Sequence, residues 1–273
     1  MNSFQDAVIV VAGAGCGIGR ATALTFSRLG AKLVLADIQE EPLAKVAGEI
    51  SSNGGNVRAF HLDVSDREQV ASFARSVLDE FRNVDVVISN AGVLILGETR
   101  LVSLEDFRWL MGVNFWGGVH LIHFFLPSMV ERKQGHFVNI SSPNALAPVP
   151  YVGPYAASKS AMVMVSETLR VEVARFGVGV TTVCPGFTRT ELRPRAKFRA
   201  DTEAGEKFLL HVRERAKQRE IDPFKVARRI PPAVLKNRAF VRISRETYLL
   251  SWAYRFIPGV FRRVAQYAVK RTS

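Results

Sequence analysis

Short apolar runs alternate with amphipathic stretches along most of the chain. Ala7 to Ala12 (AVIVVA) and Lys32 to Ala36 (KLVLA) are rich in β-branched residues and almost free of polar side chains, as strands covered on both faces are. Between them, Ile18 to Leu29 (IGRATALTFSRL) spaces its apolar residues as a helix does. The three together predict a β-α-β unit. Similar runs recur at Val57 to Leu62, Val84 to Ser89, His136 to Ile140 and Val178 to Val183, each set off by a stretch of helical period. This alternation predicts an α/β fold, a parallel sheet with helices on both faces. After the sixth run the pattern weakens. Thr190 to Arg229 is charged and reads as helical, Arg238 to Ser244 (RAFVRIS) reads as a seventh strand, and a tail follows from Glu246 to Ser273. With no internal repeat or linker, residues 1–245 are expected to form one domain and residues 246–273 a basic extension.

Composition narrows this picture. With 273 residues and 48% hydrophobic side chains, the chain can bury a sizeable core, which excludes disorder as its main state. Met1 to Asp6 is polar and the apolar run after it is short, so no secretory signal is expected. Cys16 and Cys184 are too few for a disulfide framework. A cytoplasmic protein is the expectation. Leu249 to Phe261 is broken by Arg255 and Pro258, and Val113 to Val130 contains Asn114, His120, His123 and Pro127, so no spanning helix is expected.

The formal charge of +12 is unevenly placed. Up to Leu192 there are 16 Lys and Arg against 18 Asp and Glu, and from Arg193 onward 21 against 7. The basic character therefore belongs to the last third, where it suits an anionic membrane surface, a nucleic acid, an acidic ligand or simply a solvated face.

Gly13, Gly17 and Gly19 fall in AGAGCGIG, between the first strand and the first helix, with Cys16 and Ile18 among them. A backbone without Cβ atoms at a helix N-terminus allows close approach of a pyrophosphate and offers it free N–H groups. The spacing is GxxxGxG rather than the commoner GxGxxG. Asp37 ends the second strand 18 positions beyond Gly19, where a carboxylate can accept hydrogen bonds from ribose hydroxyls and repel a 2′-phosphate. Neither Cys16 nor Ile38 offers that phosphate a cation, so NAD is favoured over NADP. The alternative is that Asp37 only opens a turn. Cys16 is either a small filler or a thiol near a helix N-terminus. His120 and His123 share a helix face without a third ligand at metal spacing, so no metal is expected.

Tyr155 and Lys159 in YAASK stand four positions apart and would share one helix face. Alone, that spacing also describes an ordinary surface pair. The surrounding motifs change its meaning: the glycine turn, Asp63 and Val64 after the third strand, SNAG at Ser89 to Gly92 (with Asn90 and Ala91), Asn114 in VNFWG, Ser142, Tyr155 and Lys159, then Pro185 and Gly186 in PGFTRT. In this order they resemble the short-chain dehydrogenase/reductase family from residue 7 to about residue 192.

The resemblance implies a doubly wound Rossmann sheet with strand order 3-2-1-4-5-6-7 and hydride transfer between a nicotinamide cofactor and a secondary alcohol or ketone. Tyr155 would exchange a proton with the substrate oxygen, Lys159 would favour the phenolate and hold a ribose, Ser142 would orient the substrate, and Asn114 would anchor a water relay. Thr188 and Thr190 join the cofactor positions. Ser141, beside Ser142, reads as a strand-end residue. Ala12 and Ser89 replace the family's usual Thr and Asn, and Thr188 stands where Val or Ile is frequent; no reacting group is lost. Leu94, Ile95, Val149, Tyr151 and Phe187 neighbour the implied pocket and suggest an apolar substrate, a lipid- or steroid-like one among the candidates; the alternative is that they are core. A lid over the substrate is implied across residues 188–230. A homodimer or homotetramer through the helices carrying Asn114 and Tyr155 is also implied.

The tail from Gly259 sets Val260, Phe261, Val264 and Ala268 on one helical face and Arg262, Arg263, Gln266 and Lys270 on the other, after Trp252, Tyr254 and Phe256. Peripheral contact with an anionic membrane and docking on a subunit both fit this pattern. A non-catalytic dinucleotide-binding scaffold and an NADPH-dependent ketoreductase are the competing functions. Nucleic-acid binding is not expected, because no recognised motif accompanies the charge.

Overall fold

The computed structural model describes residues 3–190, 192, 195–201, 210, 214 and 220–270. Strands β1 (Val8–Ala12), β2 (Lys32–Asp37), β3 (Val57–His61) and β4 (Val86–Ser89) are connected by helices α1 (Gly17–Ser27), α2 (Glu40–Ser52) and α3 (Arg67–Phe81). A three-residue strand β5 (Ile95–Gly97) leads to α4 (Leu104–Met111), a π-helical turn at Gly112–Trp116 and α5 (Gly117–Glu131). Then follow β6 (Gly135–Ile140), α6 (Gly153–Val173), β7 (Val178–Cys184), β8 (Lys197–Arg199), α7 (Pro223–Ala227), α8 (Ile230–Leu235), β9 (Phe240–Arg242), α9 (Arg245–Phe256) and α10 (Pro258–Lys270).

The main sheet has seven strands in the order β3-β2-β1-β4-β6-β7-β9, every neighbouring pair parallel. Leaving aside β5 and β8, which form a separate ribbon, this is the doubly wound order that the resemblance implies.

Alternation along each strand decides which layer a side chain enters. Ile9 and Val11 of β1, with Leu33 and Leu35 of β2, meet Leu43 and Ile50 of α2 and Ile230 of α8 on one face. Val10 and Val34 point the other way, onto Val70 and Phe73 of α3 and Phe125 of α5. Two cores therefore sandwich the sheet. Fully burying such a side chain stabilises by ~1.5–3 kcal/mol before chain entropy is counted. Because helices cover both faces, the strands read as continuous apolar runs.

One expectation needs correction. The stretch from Thr190 to Arg229 is not uniformly helical: residues 197–199 form β8, which pairs in parallel with β5 through Ile95 to Lys197 and Gly97 to Arg199. Phe198 packs inward against an apolar cluster while Lys197 and Arg199 reach Asp106 on α4, so tertiary contacts set the local structure. Much of the expected lid lies outside the described residues. The helix Leu104–Glu131 is, despite its polar positions, long and apolar enough to cross a membrane by length and composition. Its Leu110, Leu121, Phe125 and Met129 are instead buried in the protein core.

Candidate active site

The sheet presents its carboxyl ends along one edge, and the sequence motifs converge there. Gly13 has φ +82° and Gly17 φ +54°, the left-handed region that side chains disfavour. Space forbids side chains as well: a Cβ on Gly13 would lie 2.5 Å from the Ala91 nitrogen, and one on Gly17 2.7 Å from Thr190 Cγ2. At Gly19 it would overlap the Gly13 carbonyl. Cys16 is extended at the N-cap of α1, and Ile18 is buried in the first turn. The turn is thus a cradle whose glycines let Ala91, Thr190 and the α1 terminus close around it.

Asp37, at the end of β2, accepts the Gly15 N–H through Oδ2 at 2.8 Å and the Gln39 N–H through Oδ1 at 3.0 Å. Each oxygen keeps a lone pair for a further donor. The fit to a dinucleotide is good on both counts, a glycine cradle at a helix N-terminus and a carboxylate fixed beside it.

The loop after β4 braces this cradle. Asn90 donates through Nδ2 to the Gly13 carbonyl at 2.7 Å, while the Asn90 and Ala91 N–H groups both donate to Ala12 at 3.0 Å. Asp63 accepts from the Ser65 N–H at 2.8 Å and the Ser65 hydroxyl at 2.7 Å. Val64 is buried against Gly117, and its carbonyl meets His120 Nδ1 at 3.0 Å. His120 is thereby a tie between α5 and the loop that follows β3.

Asn114 lies within the π-helical turn, a local widening that is frequent at functional sites. Its Oδ1 accepts the Val93 N–H at 2.8 Å, and its Nδ2 donates to the Val93 carbonyl at 3.0 Å and to Ser158 Oγ at 3.2 Å. Across Gly92, a Cβ would stand 3.4 Å from Asn114 Oδ1 and 3.5 Å from Lys159 Nζ, so both groups face this glycine. Tyr155 sits in the first turn of α6, with Lys159 one turn later; both are buried. Lys159 Nζ donates to the Ile140 carbonyl at 3.0 Å, and burial pushes its ammonium down to about 8.

Ser142, just beyond β6, is buried and extended, and its hydroxyl accepts the Asn144 N–H at 3.2 Å. Ser141 donates to the Lys159 carbonyl at 3.2 Å, the strand-end role expected of it. Pro185 is buried. Gly186 lies against Ser244, and Thr188 is buried, donates to the Gly186 carbonyl at 3.4 Å and bridges to Ile221. Tyr155, Lys159, Asn114 and Ser142 thus gather at the ends of β4 and β6, beside the glycine cradle.

Leu94, Ile95 and Val149 pack in one apolar cluster with Tyr155. Ile95 is fully buried, Tyr151 has φ +67° and its carbonyl accepts the Gly97 N–H at 2.8 Å, and Phe187 is 39% exposed. Sequence reasoning missed Leu96, Leu110, Val152 and Phe198, which belong to the same cluster. It also missed Asp106, which accepts from Lys197 Nζ at 3.0 Å and Arg199 Nε at 2.5 Å. Burial pushes the Asp106 carboxyl up, yet these two cations outweigh it and hold the group below its ordinary value. The alternation of charged and apolar residues in Lys197–Arg199 is the one local hint of a strand, and it does not name Asp106 as partner.

Comparison with known proteins agrees with this geometry. The short chain dehydrogenase family model matches residues 7–200. The chain belongs to that family. EphD, a probable oxidoreductase of Mycobacterium tuberculosis, is 37% identical over 270 residues, 97% of this chain; the chain spans 46% of EphD's length. SadH of the same organism, likewise named an oxidoreductase, is 35% identical over 99% of this chain and 98% of its own. A short chain dehydrogenase/reductase from Burkholderia phymatum, solved in complex with NAD, superposes with a TM-score of 0.87 at 29% identity, covering 93% of this chain and 95% of its own. A metagenomic short-chain oxidoreductase solved with NADP gives 0.72 at 27% identity, covering 88% and 98%. The fold is therefore one shared with short-chain dehydrogenases solved with NAD and with NADP.

Proposed function

We propose that the chain is an NAD-dependent oxidoreductase interconverting an apolar secondary alcohol and its ketone, with Tyr155 as the acid–base group. The observation that carries this reading is the buried Tyr155–Lys159 pair, one helical turn apart, beside a glycine cradle that fits a dinucleotide.

A bound nicotinamide dinucleotide would supply the hydride acceptor or donor, with Gly13, Gly17, Gly19, Asn90, Thr188 and Thr190 among the residues that would hold it. Tyr155 takes the hydroxyl proton of an alcohol as its carbonyl forms, or returns that proton to a ketone oxygen. An unperturbed phenol titrates near pH ~10, so bringing it ~3 units toward neutrality requires roughly 4 kcal/mol of preferential phenolate stabilisation. Lys159 carries the right charge for that task, and its burial removes the water that would screen it. Ser142 fixes the substrate oxygen by hydrogen bonding. Asn114 holds Val93 and Ser158, and so the wall that Lys159 faces.

Asp37 supports NAD over NADP, because a 2′-phosphate would meet a carboxylate already anchored to Gly15 and Gln39. Leu94, Leu96, Val149 and Phe198 around Tyr155 support an apolar substrate. Exposed Trp116 of the π-helical turn that carries Asn114, with Met164 and Val171 of α6, supports assembly into a homodimer or homotetramer. The test is a screen of nicotinamide absorbance with NAD and with NADP against steroids, retinoids, long-chain and small secondary alcohols. Turnover of an apolar alcohol with NAD is the expected result; turnover with NADP alone would contradict the cofactor assignment.

A further inference from the structure

We propose that α9 and α10 form a docking surface for an anionic phospholipid bilayer. Half of the exposed large hydrophobic side chains among the described residues fall between Tyr248 and Tyr267. On α9, Leu249, Trp252 and Phe256 share one exposed stripe; on α10, Val260, Val264 and Tyr267 share another. The opposite sides are engaged within the protein. Thr247 is buried, Tyr254 meets Phe261 edge-on at 5.7 Å, and Phe261, Ala265 and Val269 are half-buried. The apolar stripes are thus faces left over after the two helices have packed.

Charge selects the partner. From Arg245 to Ser273 the sequence holds Arg245, Arg255, Arg262, Arg263, Lys270 and Arg271 against the single acid Glu246. A self-complementary contact between two copies would bring these arginines toward their own equivalents with one carboxylate per chain to offset them. A nucleic acid would take the arginines but leave Leu249, Val260 and Val264 against water. A bilayer takes both: apolar and aromatic side chains enter the headgroup boundary, while arginines extend to lipid phosphates.

Position adds a consequence. Ser244 caps α9 by accepting the Thr247 N–H at 3.3 Å, and a Cβ on Gly186 would lie 2.5 Å from Ser244 Oγ. The docking helices are therefore rooted on the turn that follows β7, next to the candidate active site. An apolar alcohol dissolved in the bilayer would meet the site without crossing water, a consequence that rests on the redox reading above; the docking surface itself does not.

The test is co-sedimentation of the full chain with phosphatidylcholine vesicles and with mixed phosphatidylcholine–phosphatidylglycerol vesicles, at low and high salt. Pelleting with the mixed vesicles, weakened by salt, is expected. R255E/R263E should lower partitioning by about tenfold or more, since each of these exposed basic side chains contributes separately to the attraction. W252S/F256S should lower it with little change in salt dependence. Both variants should keep the wild-type cofactor affinity and sedimentation coefficient. Absence of pelleting with the mixed vesicles, or dissociation of a wild-type oligomer in either variant, would overturn the proposal, the second outcome assigning the face to subunit contact. Since the readout is binding, failure of the redox reading leaves this test intact.

Discussion

Asp37 Oδ2 accepts the Gly15 N–H at 2.8 Å, joining the end of the second strand to the glycine turn. One carboxylate thereby shapes the cradle and sets its charge. Asp37→Ala should weaken NAD binding by about ten- to a hundredfold, as expected for the loss of charge-assisted hydrogen bonds. Binding of NADP should weaken less or improve, because the like charge is gone. Fluorescence titration with both cofactors measures the ratio. An unchanged ratio would show that Asp37 does not select the cofactor.

Lys159 makes a stability prediction with a definite sign. Burial lowers its ammonium from 10.5 to about 8. Between those values the unfolded chain binds the proton more tightly than the folded one, so the Lys159 contribution becomes more favourable as pH rises through that window. Below about pH 8 the folded state carries the full penalty, on the order of 3 kcal/mol. Lys159→Met removes that penalty together with the bond to Ile140, so the cofactor-free variant should be ~1–3 kcal/mol more stable than wild type at about pH 7. The advantage should shrink above about pH 9. Denaturant melts at both pH values check this. A variant less stable at neutral pH would contradict it.

Asp106 ties α4 to β8 through Lys197 and Arg199, and Lys197 also lies 3.8 Å from the Trp109 ring centroid. Asp106→Asn should destabilise the fold by ~1–2 kcal/mol, the cost of leaving a largely buried site short of its charge. Limited proteolysis should then cut near residues 197–199 faster than in wild type. Unaltered cleavage would mean that β5 alone holds β8.

The main sheet was legible because both faces of β1, β2, β4, β6 and β7 are covered, which leaves an uninterrupted apolar signature in the sequence. The glycine turn was legible because φ and close approach both demand residues without Cβ atoms there. The ribbon of β5 and β8 was hidden. Lys197–Arg199 is strand only because Ile95 to Gly97 lies alongside and Asp106 takes its charges, contacts about a hundred residues distant that no local pattern encodes. Asn114 was found from its motif, but its actual partners, Val93 and Ser158, depend on the π-helical turn, which local periodicity does not reveal.

In the proposed reaction Tyr155 moves the proton at the substrate oxygen. Its most direct test is turnover by Tyr155→Phe of a substrate identified with wild-type enzyme, alongside NAD affinity. A loss of ~10²–10⁴-fold in kcat/KM is expected, as for removal of a positioned acid–base group, with cofactor affinity unchanged. Wild-type turnover by this variant, with cofactor bound as tightly, would contradict it.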